Sequence, residues 1–151
     1  MEGDLLVAID GSKHSATIID VALQIAKGMS LKILLVHVVK NLTEEDEGLA
    51  TFEKAEEYKD AYADLVQQYG QQTVEEFGHK IERAGVPFRS ATPSGNPAAE
   101  IIQIATLEKV KMLVIGMKGH HGIGRIISLG SVARRVIENS TCPVVVVPGE
   151  K

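Results

Sequence analysis

Short apolar runs alternate with helical patterns along this chain, and that alternation restricts the possible folds more than any other feature. Each run is too short for a helix and has the apolar composition of a strand that is buried on both faces. Helical patterns between such strands require right-handed crossovers. The sequence therefore predicts an α/β fold: an open, five-stranded parallel sheet of Rossmann-like type, with helices on both faces and strand order 3-2-1-4-5. The runs are Leu5–Ile9, Ile33–Val39, the weaker Val86–Ala91, Met112–Ile115 and Pro143–Val147.

Composition narrows the class of protein further. The 151 residues are 44% hydrophobic and carry a net charge of −4, which is typical of one soluble domain and offers no basic field for nucleic acid. The single cysteine, Cys142, excludes an internal disulfide. The apolar runs are far too short to cross a bilayer, and the acidic start Met1–Asp4 lacks the basic residues of a secretory signal. We expect a single domain over residues 1–151, cytoplasmic, without membrane insertion or nucleic-acid partner.

Three of the predicted helices have recognisable ends. Ser12 suits the N-cap of the first helix, and Gly28 suits its end. Asn96 and Pro97 supply an N-cap and a first-turn proline for a later helix. The last helix is predicted over Gly130–Asn139.

The longest helical pattern lies between Thr43 and Ala84, after an acidic block that we expect to form a loop. We interpret its apolar positions as one stripe facing the core. Because Gly70 and Gly78 weaken a helix, a break near either glycine is expected. The stripe consists of Tyr58, Tyr62, Leu65, Tyr69, Val74, Phe77 and Ile81.

The segment after the fourth predicted strand has the order of an anion site. The strand ends at Gly116, a glycine-rich loop follows, and Gly130-Ser131 opens a helix. Such a junction gathers backbone N–H groups at a helix N-terminus, where phosphate is favoured. Asp10 ends the first strand, so Asp10, Gly116 and Gly119 are expected to surround one crevice where the winding reverses. Two alternatives stay open: Ser131 as a mere N-cap, and Asp10 as a turn residue that caps the following helix.

The same residues resemble a known family. Gly116, Gly119, Gly130 and Ser131, followed by SVARRVIENSTCPVVVV, look like the closing motif of ATP-binding universal stress proteins. LLVAIDGSKHS resembles the opening of that family, and SGNPAAEII resembles the entry to its third helix. The resemblance implies ATP or AMP as ligand, with Mg²⁺ as a candidate companion. It also implies these roles: Asp10 near the ribose or a metal, Val38 at the adenine, Gly116 and Gly119 along the ribose and phosphates, Met117 and Lys118 as neighbours, and Gly130, Ser131 and Val132 at the phosphates.

A partner surface is expected at the last strand. The predicted order leaves Pro143–Val147 at an edge of the sheet, where an apolar strand invites pairing. The resemblance implies that a two-fold copy pairs there, which predicts a homodimer. A regulatory protein of unknown identity is the other expected partner.

No group of residues predicts catalysis. The phosphate-loop motif GxxxxGK[ST] is missing, and no residue is evident that would orient an attacking water. We therefore favour a regulatory nucleotide-binding module in which hydrolysis is at most slow. Ten residues separate Gly119 from Gly130, one more than in the family pattern. This difference keeps open a family member that binds no nucleotide and acts through protein contacts. The other alternative is an enzyme, either a genuine ATPase or a nucleotidyl transferase on a related α/β fold.

Overall fold

The computed structural model describes residues 3–40, 55–117 and 129–149, and gives only the backbone of residues 55–60. The strands are β1 (Asp4–Ala8), β2 (Lys32–Val36), β3 (Phe88–Ala91), β4 (Met112–Gly116) and β5 (Val144–Val147). The helices in these ranges are α1 (His14–Met29), α2 (Ala55–Arg83), α3 (Pro97–Leu107) and α4 (Ser131–Asn139).

The strands form one parallel sheet in the order β3-β2-β1-β4-β5, which confirms the predicted fold. The winding reverses between β1 and β4, where Val7 lies opposite Val114. In open sheets of this kind the crevice for a ligand opens beyond the carboxyl ends of the strands at the reversal. The topology therefore directs attention to the residues that follow β1 and β4.

The core has two layers because helices cover both faces of the sheet. On one face α1 and α2 bury residues such as Ile19 and Ile81 against the strands. On the other face α3 and α4 bury residues such as Ile101 and Val136. The strands β1, β2 and β4 are apolar on both sides for this reason, which explains why their composition identifies them so clearly. In the edge strand β3, Arg89 and Ser90 are exposed.

The ends of α1 differ from the prediction. Ser12 is not the N-cap: α1 begins at His14, and the preceding Lys13 is in helical conformation and makes no capping hydrogen bond with its side chain. The hydroxyl of Ser12 is buried, with no hydrogen-bond partner among the described residues. At the other end α1 continues one residue past Gly28, and Ser30 takes the left-handed conformation, with φ 56°. The polar contacts of Asp10, described below, take the place of the expected Ser12 cap.

Helix α2 is continuous through both of its glycines, so the predicted break is wrong. A Cβ atom on Gly70 would lie 2.7 Å from Val39 Cγ2, and one on Gly78 would lie 2.8 Å from the ring of Phe88. Both glycines are therefore sites of close approach between helix and sheet. Neither α2 nor any other helix in the described ranges is long and apolar enough to cross a membrane.

The apolar stripe of α2 is also corrected. Val74 and Ile81 are buried, but Tyr62, Leu65 and Tyr69 are exposed. The cause is the spacing, because the five residues from Tyr69 to Val74 correspond to a rotation of about 140° at 3.6 residues per turn. The two halves of the stripe therefore lie on different sides of the helix.

Helix α3 begins as predicted. The side-chain oxygen of Asn96 accepts a hydrogen bond from the Ala99 N–H at 3.1 Å, and Pro97 occupies the first helical position. The cap matters for the site because it fixes where the chain leaves the carboxyl edge of β3.

Candidate functional site

Asp10 follows β1 at the carboxyl edge of the sheet and is held by the start of α1. Its Oδ1 accepts hydrogen bonds from the Ser12 N–H at 2.9 Å and from the Ser15 hydroxyl at 3.2 Å. Gly11, with φ +83°, supplies the left-handed turn between them. These contacts support the interpretation of Asp10 as a turn residue. They also leave an exposed carboxylate fixed at the edge where a ligand is expected.

Val38 lies beyond the end of β2, in a segment that is hydrogen-bonded to the end of β3 and the residues after it. The His37 N–H donates to the Ala91 carbonyl at 3.1 Å, and the Val39 N–H donates to the Pro93 carbonyl at 2.8 Å. Val38 is partly buried against the α3/α4 layer. An apolar side chain is thus fixed at the carboxyl edge, close to the level of Asp10.

His37 was not singled out from the sequence, yet it joins the two halves of this edge. The side chain is buried, and Nδ1 lies 3.0 Å from the carbonyl oxygen of Ile9. Because a carbonyl only accepts, Nδ1 carries the hydrogen. A lone histidine in an apolar run gives no sequence signal for this contact, which depends on the pairing of β2 with β1.

Gly116 and Met117 end β4 beside Asp10. Continuing the register of Val7 and Val114 by three residues brings Asp10 level with Met117. Gly116 is the last residue of β4 and remains within the strand. A Cβ atom there would lie 3.0 Å from Ile18 Cδ1 and 3.2 Å from His14 Cδ2, so the glycine admits the close approach of α1.

The N-terminus of α4 is attached to the end of β4. The Gly130 N–H donates to the Met117 carbonyl at 3.3 Å, and the Arg134 N–H makes a helical bond to the Gly130 carbonyl at 2.9 Å. The N–H groups of Ser131, Val132 and Ala133 come before that first helical bond, so they have no acceptor within the helix. Ser131 and Val132 are exposed. Lys118 and Gly119, the remaining predicted site residues, lie outside the described residues.

The two sides of this edge differ in charge. One side suits the anionic part of a ligand, and the other suits a part with hydrogen-bond donors. The α4 terminus carries partial positive charge from its dipole, while Asp10 supplies a negative charge. Arg135 of α4 donates to the side-chain oxygen of Asn96 at 3.2 Å, which links α4 to the start of α3. Within residues 3–40, 55–117 and 129–149, no three His, Cys, Asp or Glu side chains are grouped to hold a metal ion.

Two short ion pairs lie at the opposite edge of the sheet. Arg89 of β3 contacts Glu108 at 2.7 Å and Asp4 at 2.8 Å, and hydrogen bonding to these carboxylates raises the pKa of the guanidinium. The contacts join β3, β1 and the end of α3 at the amino edge of the sheet. They are therefore structural and separate from the candidate site.

Known proteins share both the sequence and the fold. The model described as the universal stress protein family matches residues 2–148. Universal stress protein YxiE of Bacillus subtilis is 32% identical over 148 residues, which cover 97% of this chain and 99% of that protein. Universal stress protein MJ0531 of Methanocaldococcus jannaschii is 32% identical, with coverage of 97% and 82%.

Solved structures give the same result for the fold. Hypothetical protein MJ0577 has a TM-score of 0.82 at 23% identity, over 99% of this chain and 97% of that one. A universal stress protein in complex with cAMP has a TM-score of 0.66 at 25% identity, over 97% and 96%. A family protein from Arabidopsis thaliana with AMP bound has a TM-score of 0.67 at 19% identity, over 98% and 92%. Because the family model matches nearly its whole length, the chain belongs to the universal stress protein family.

Proposed function

We propose that this protein binds an adenine nucleotide, ATP or AMP, at the carboxyl edge between β1 and β4, and acts as a dimeric regulatory module of the stress response in the cytoplasm. The observation that carries the proposal is the bond from the Gly130 N–H to the Met117 carbonyl. It holds the α4 terminus next to the end of β4, and Ser131 and Val132 at that terminus are exposed and have N–H groups without an acceptor in the helix. Phosphate is the usual ligand of such a terminus.

Each site residue has a proposed role. Asp10 accepts hydrogen bonds from ribose hydroxyls, and Val38 contacts the adenine. The backbone of Gly116 and Met117 lines the path from ribose to phosphates, Gly119 continues it, and Lys118 offsets phosphate charge. Gly130 positions the helix terminus, while Ser131 and Val132 donate to the phosphates. Mg²⁺ would bind through the phosphates, and the carboxylate of Asp10 would be a further ligand.

Relatives support an adenine nucleotide as the ligand. Two structural neighbours were solved with AMP or cAMP, and both have the same fold as this chain. These ligands share the adenine and the ribose, which are the parts assigned here to Val38 and Asp10. ATP is proposed because three N–H groups at the α4 terminus, those of Ser131, Val132 and Ala133, have no acceptor within the helix, which is enough for more than one phosphate.

A regulatory role is favoured over turnover. Among the described residues, two histidines close to the site are engaged with backbone carbonyls: His37 with Ile9 at 3.0 Å and His14 with Val147 at 3.0 Å. Neither of these two is directed to orient an attacking water, which favours slow hydrolysis at most. The nucleotide-free alternative remains because of the additional residue between Gly119 and Gly130.

Proline at position 131 tests the proposal sharply. Ser131 is the first residue of α4, where proline is tolerated, and Gly130 already has the extended conformation that proline requires before it, with φ −63° and ψ 156°. Ser131→Pro therefore removes one N–H donor while keeping the helix. Ser131→Ala removes only the hydroxyl and serves as the matched control.

The measurement is isothermal titration of the full chain with ATP and with AMP. Loss of a donor to a charged phosphate is worth about 1.5–3 kcal/mol, so Ser131→Pro should weaken ATP binding by about tenfold or more, and Ser131→Ala by less. Circular dichroism checks that the variant is folded. If the wild type binds neither nucleotide at millimolar concentration, the nucleotide-free alternative is correct. If both variants bind as tightly as the wild type, the α4 terminus is not the phosphate site.

A further inference from the structure

The backbone groups on the open side of β5 determine how a second copy could pair with this strand. The carbonyls of Pro143 and Val147 accept hydrogen bonds from β4, so alternate residues, Val145 among them, direct their backbone groups inward. The N–H and carbonyl groups of Val144 and Val146 therefore point to the open edge. Along this edge each copy offers both donors and acceptors, which is what pairing with a copy of itself requires.

Neighbouring residues favour one two-fold register for this edge. With the axis at Val145, Val144 of one copy pairs with Val146 of the other, and all of these outward groups are satisfied. With the axis at Val146, Val144 would face Pro148, which has no N–H to donate. With the axis at Val144, Val146 would face Cys142, whose N–H and carbonyl are already bonded to a serine hydroxyl two residues earlier, at 3.2 and 2.7 Å.

Pairing of the β5 edges would also bring two α4 helices together. Helix α4 connects β4 to β5, and its Ala133 and Val136 are buried in the same core layer as the β5 side chains Val144 and Val146. If each α4 axis lies over the middle of its β4–β5 pair, the two axes are separated by two strand spacings, about 10 Å. Packed helices are about 8–10 Å apart. A pair through β5 therefore includes a contact between the two α4 helices.

The middle of α4 lies level with this axis. Continuing the β4–β5 register by one residue places Met117 level with Pro148, and the Gly130 N–H bonds to the Met117 carbonyl, so α4 begins at that level. From there α4 runs antiparallel to the strands. Ile137, six residues into α4, lies about 9 Å further along the helix. Val145 lies about 10 Å before Pro148 in the strand, so Ile137 and Val145 are at the same height.

Ile137 is on the side of α4 that faces the open edge. Arg135, two residues earlier, donates to Asn96 at the start of α3 at 3.2 Å, so its side of α4 faces α3. Two residues correspond to a rotation of about 200°, and Ile137 therefore points away from α3, toward the β5 edge. Its side chain is 43% exposed. A second α4 at this edge would cover it.

Charged side chains next to Ile137 fit such a contact. Arg134 and Glu138 are exposed and lie one helical turn apart, and neither forms an ion pair within residues 3–40, 55–117 and 129–149. When two α4 helices meet antiparallel near Ile137, Arg134 of one copy comes within about one turn of Glu138 of the other. The two-fold axis forms this pair twice. The surface is thus complementary to itself, with an apolar centre and opposite charges beside it.

We propose that two copies of this chain pair through β5 about a two-fold axis at Val145, and that their α4 helices pack against each other at Ile137. Arg134 of each copy then pairs with Glu138 of the other. An isologous contact of this kind is closed and does not propagate. The proposal rests on the dimer of the proposed function and specifies its register and the second element of its interface.

Cysteine cross-linking tests the α4 contact directly. In the full chain with Cys142→Ser, Ile137→Cys lies at the proposed contact, and Asn139→Cys is the matched control, exposed on the same helix but rotated by about 200°. Under mild oxidation, the cysteine at position 137 should form disulfide-linked dimers at least tenfold faster than the one at position 139. Equal rates at the two positions, or no cross-link at position 137, would overturn the α4 contact.

Exchange of the two charges provides the second readout, by sedimentation equilibrium. Arg134→Glu alone and Glu138→Arg alone should each weaken dimerisation by about fivefold, because each brings like charges together across the axis. The variant with both substitutions should regain the affinity of the wild type, which a local effect of either substitution on α4 would not produce. Single variants that dimerise like the wild type, or a double variant without recovery, would show that the helices do not meet at these residues.

Failure of this inference can be distinguished from failure of the proposed dimer. A wild type that stays monomeric over the whole concentration series would overturn both. A dimer that Val146→Pro dissociates, but that cross-links equally at positions 137 and 139, would retain the β5 pairing and exclude the α4 contact. All of these measurements are made without nucleotide, so their outcomes are independent of the proposed ligand.

Discussion

The imidazole of His14, at the start of α1, lies with Nε2 at 3.0 Å from the carbonyl oxygen of Val147, at the end of β5. Because the carbonyl accepts, Nε2 carries the hydrogen. The same oxygen accepts a hydrogen bond from the Met117 N–H at 2.8 Å. One carbonyl therefore joins α1, β4 and β5 at the edge where the nucleotide is proposed to bind.

Replacing His14 should destabilise the fold. His14→Ala removes the hydrogen bond to Val147 and the ring that packs beside Gly116, and we expect a loss of about 1–3 kcal/mol in the free energy of unfolding. His79→Ala is the control: this side chain is exposed on α2, and its loss should change stability by less than about 0.5 kcal/mol. Urea unfolding followed by circular dichroism gives both values. Equal midpoints for the two variants would show that the His14 contact contributes nothing.

The three inner strands of the sheet were predictable because they are buried on both faces. A run such as Leu5–Ile9 has no polar side and is too short for a helix, so composition alone identifies it. The α2 stripe was predicted wrongly because its two halves were interpreted as one face. The five residues from Tyr69 to Val74 correspond to a rotation of about 140°. Tyr62 and Leu65 therefore do not lie on the side of the helix that is buried.

The site was predictable in part. Asp10 and Gly116 follow strands, and the α/β topology brings such positions together. The structural roles of individual residues were harder to infer, because these roles depend on contacts between segments that are distant in the sequence. Gly116 serves the packing of His14 and Ile18. His37 ties β2 to Ile9. Neither contact leaves a local pattern in the sequence.

Gly70 and Gly28 should respond in opposite ways to alanine. Alanine favours a helix over glycine by about 1 kcal/mol, and this gain should appear at Gly28, where an added Cβ meets no atom within 4 Å. At Gly70 the Cβ would lie 2.7 Å from Val39 Cγ2, and overpacking of this kind costs about 1–3 kcal/mol. Thermal unfolding should therefore give a higher melting temperature for Gly28→Ala and a lower one for Gly70→Ala. A stabilised Gly70→Ala protein would mean that α2 does not approach Val39 so closely.

The outward-facing backbone of β5 allows a test of the proposed dimer. The carbonyls of Pro143 and Val147 accept hydrogen bonds from β4, at 2.9 and 2.8 Å, so alternate residues of β5 face inward and Val146 directs its N–H to the open edge. Val146→Pro should remove that donor with little effect on the bonds to β4, and so convert a dimer into a monomer. Val146→Ala keeps the N–H and is the control. Light scattering at low protein concentration measures both, and a Val146→Pro protein that remains dimeric would exclude pairing through this edge.

The side chain of Asn96 forms hydrogen bonds with both α3 and α4. Replacing it with aspartate should make the stability of the fold depend on pH. Its side-chain oxygen accepts from the Ala99 N–H at 3.1 Å and from Arg135 at 3.2 Å. Asn96→Ala should cost about 1 kcal/mol through the lost cap. N96D keeps the cap and adds a negative charge next to Arg135 and the α3 terminus, which should stabilise the fold by about 0.3–1 kcal/mol.

The sign of the pH dependence follows from linkage. Arg135 and the helix terminus favour the charged carboxylate, so the introduced aspartate has a lower pKa in the folded than in the unfolded protein. Its stabilisation should be complete above the unfolded value of about 3.9 and be lost as the pH falls through the folded value. Urea unfolding of N96D and wild type at pH 7 and pH 3 checks this, with Arg135→Ala in both backgrounds as the control for the ion pair. A gain that persists at pH 3, or survives Arg135→Ala in full, would show that the charge of the new side chain does not act through Arg135.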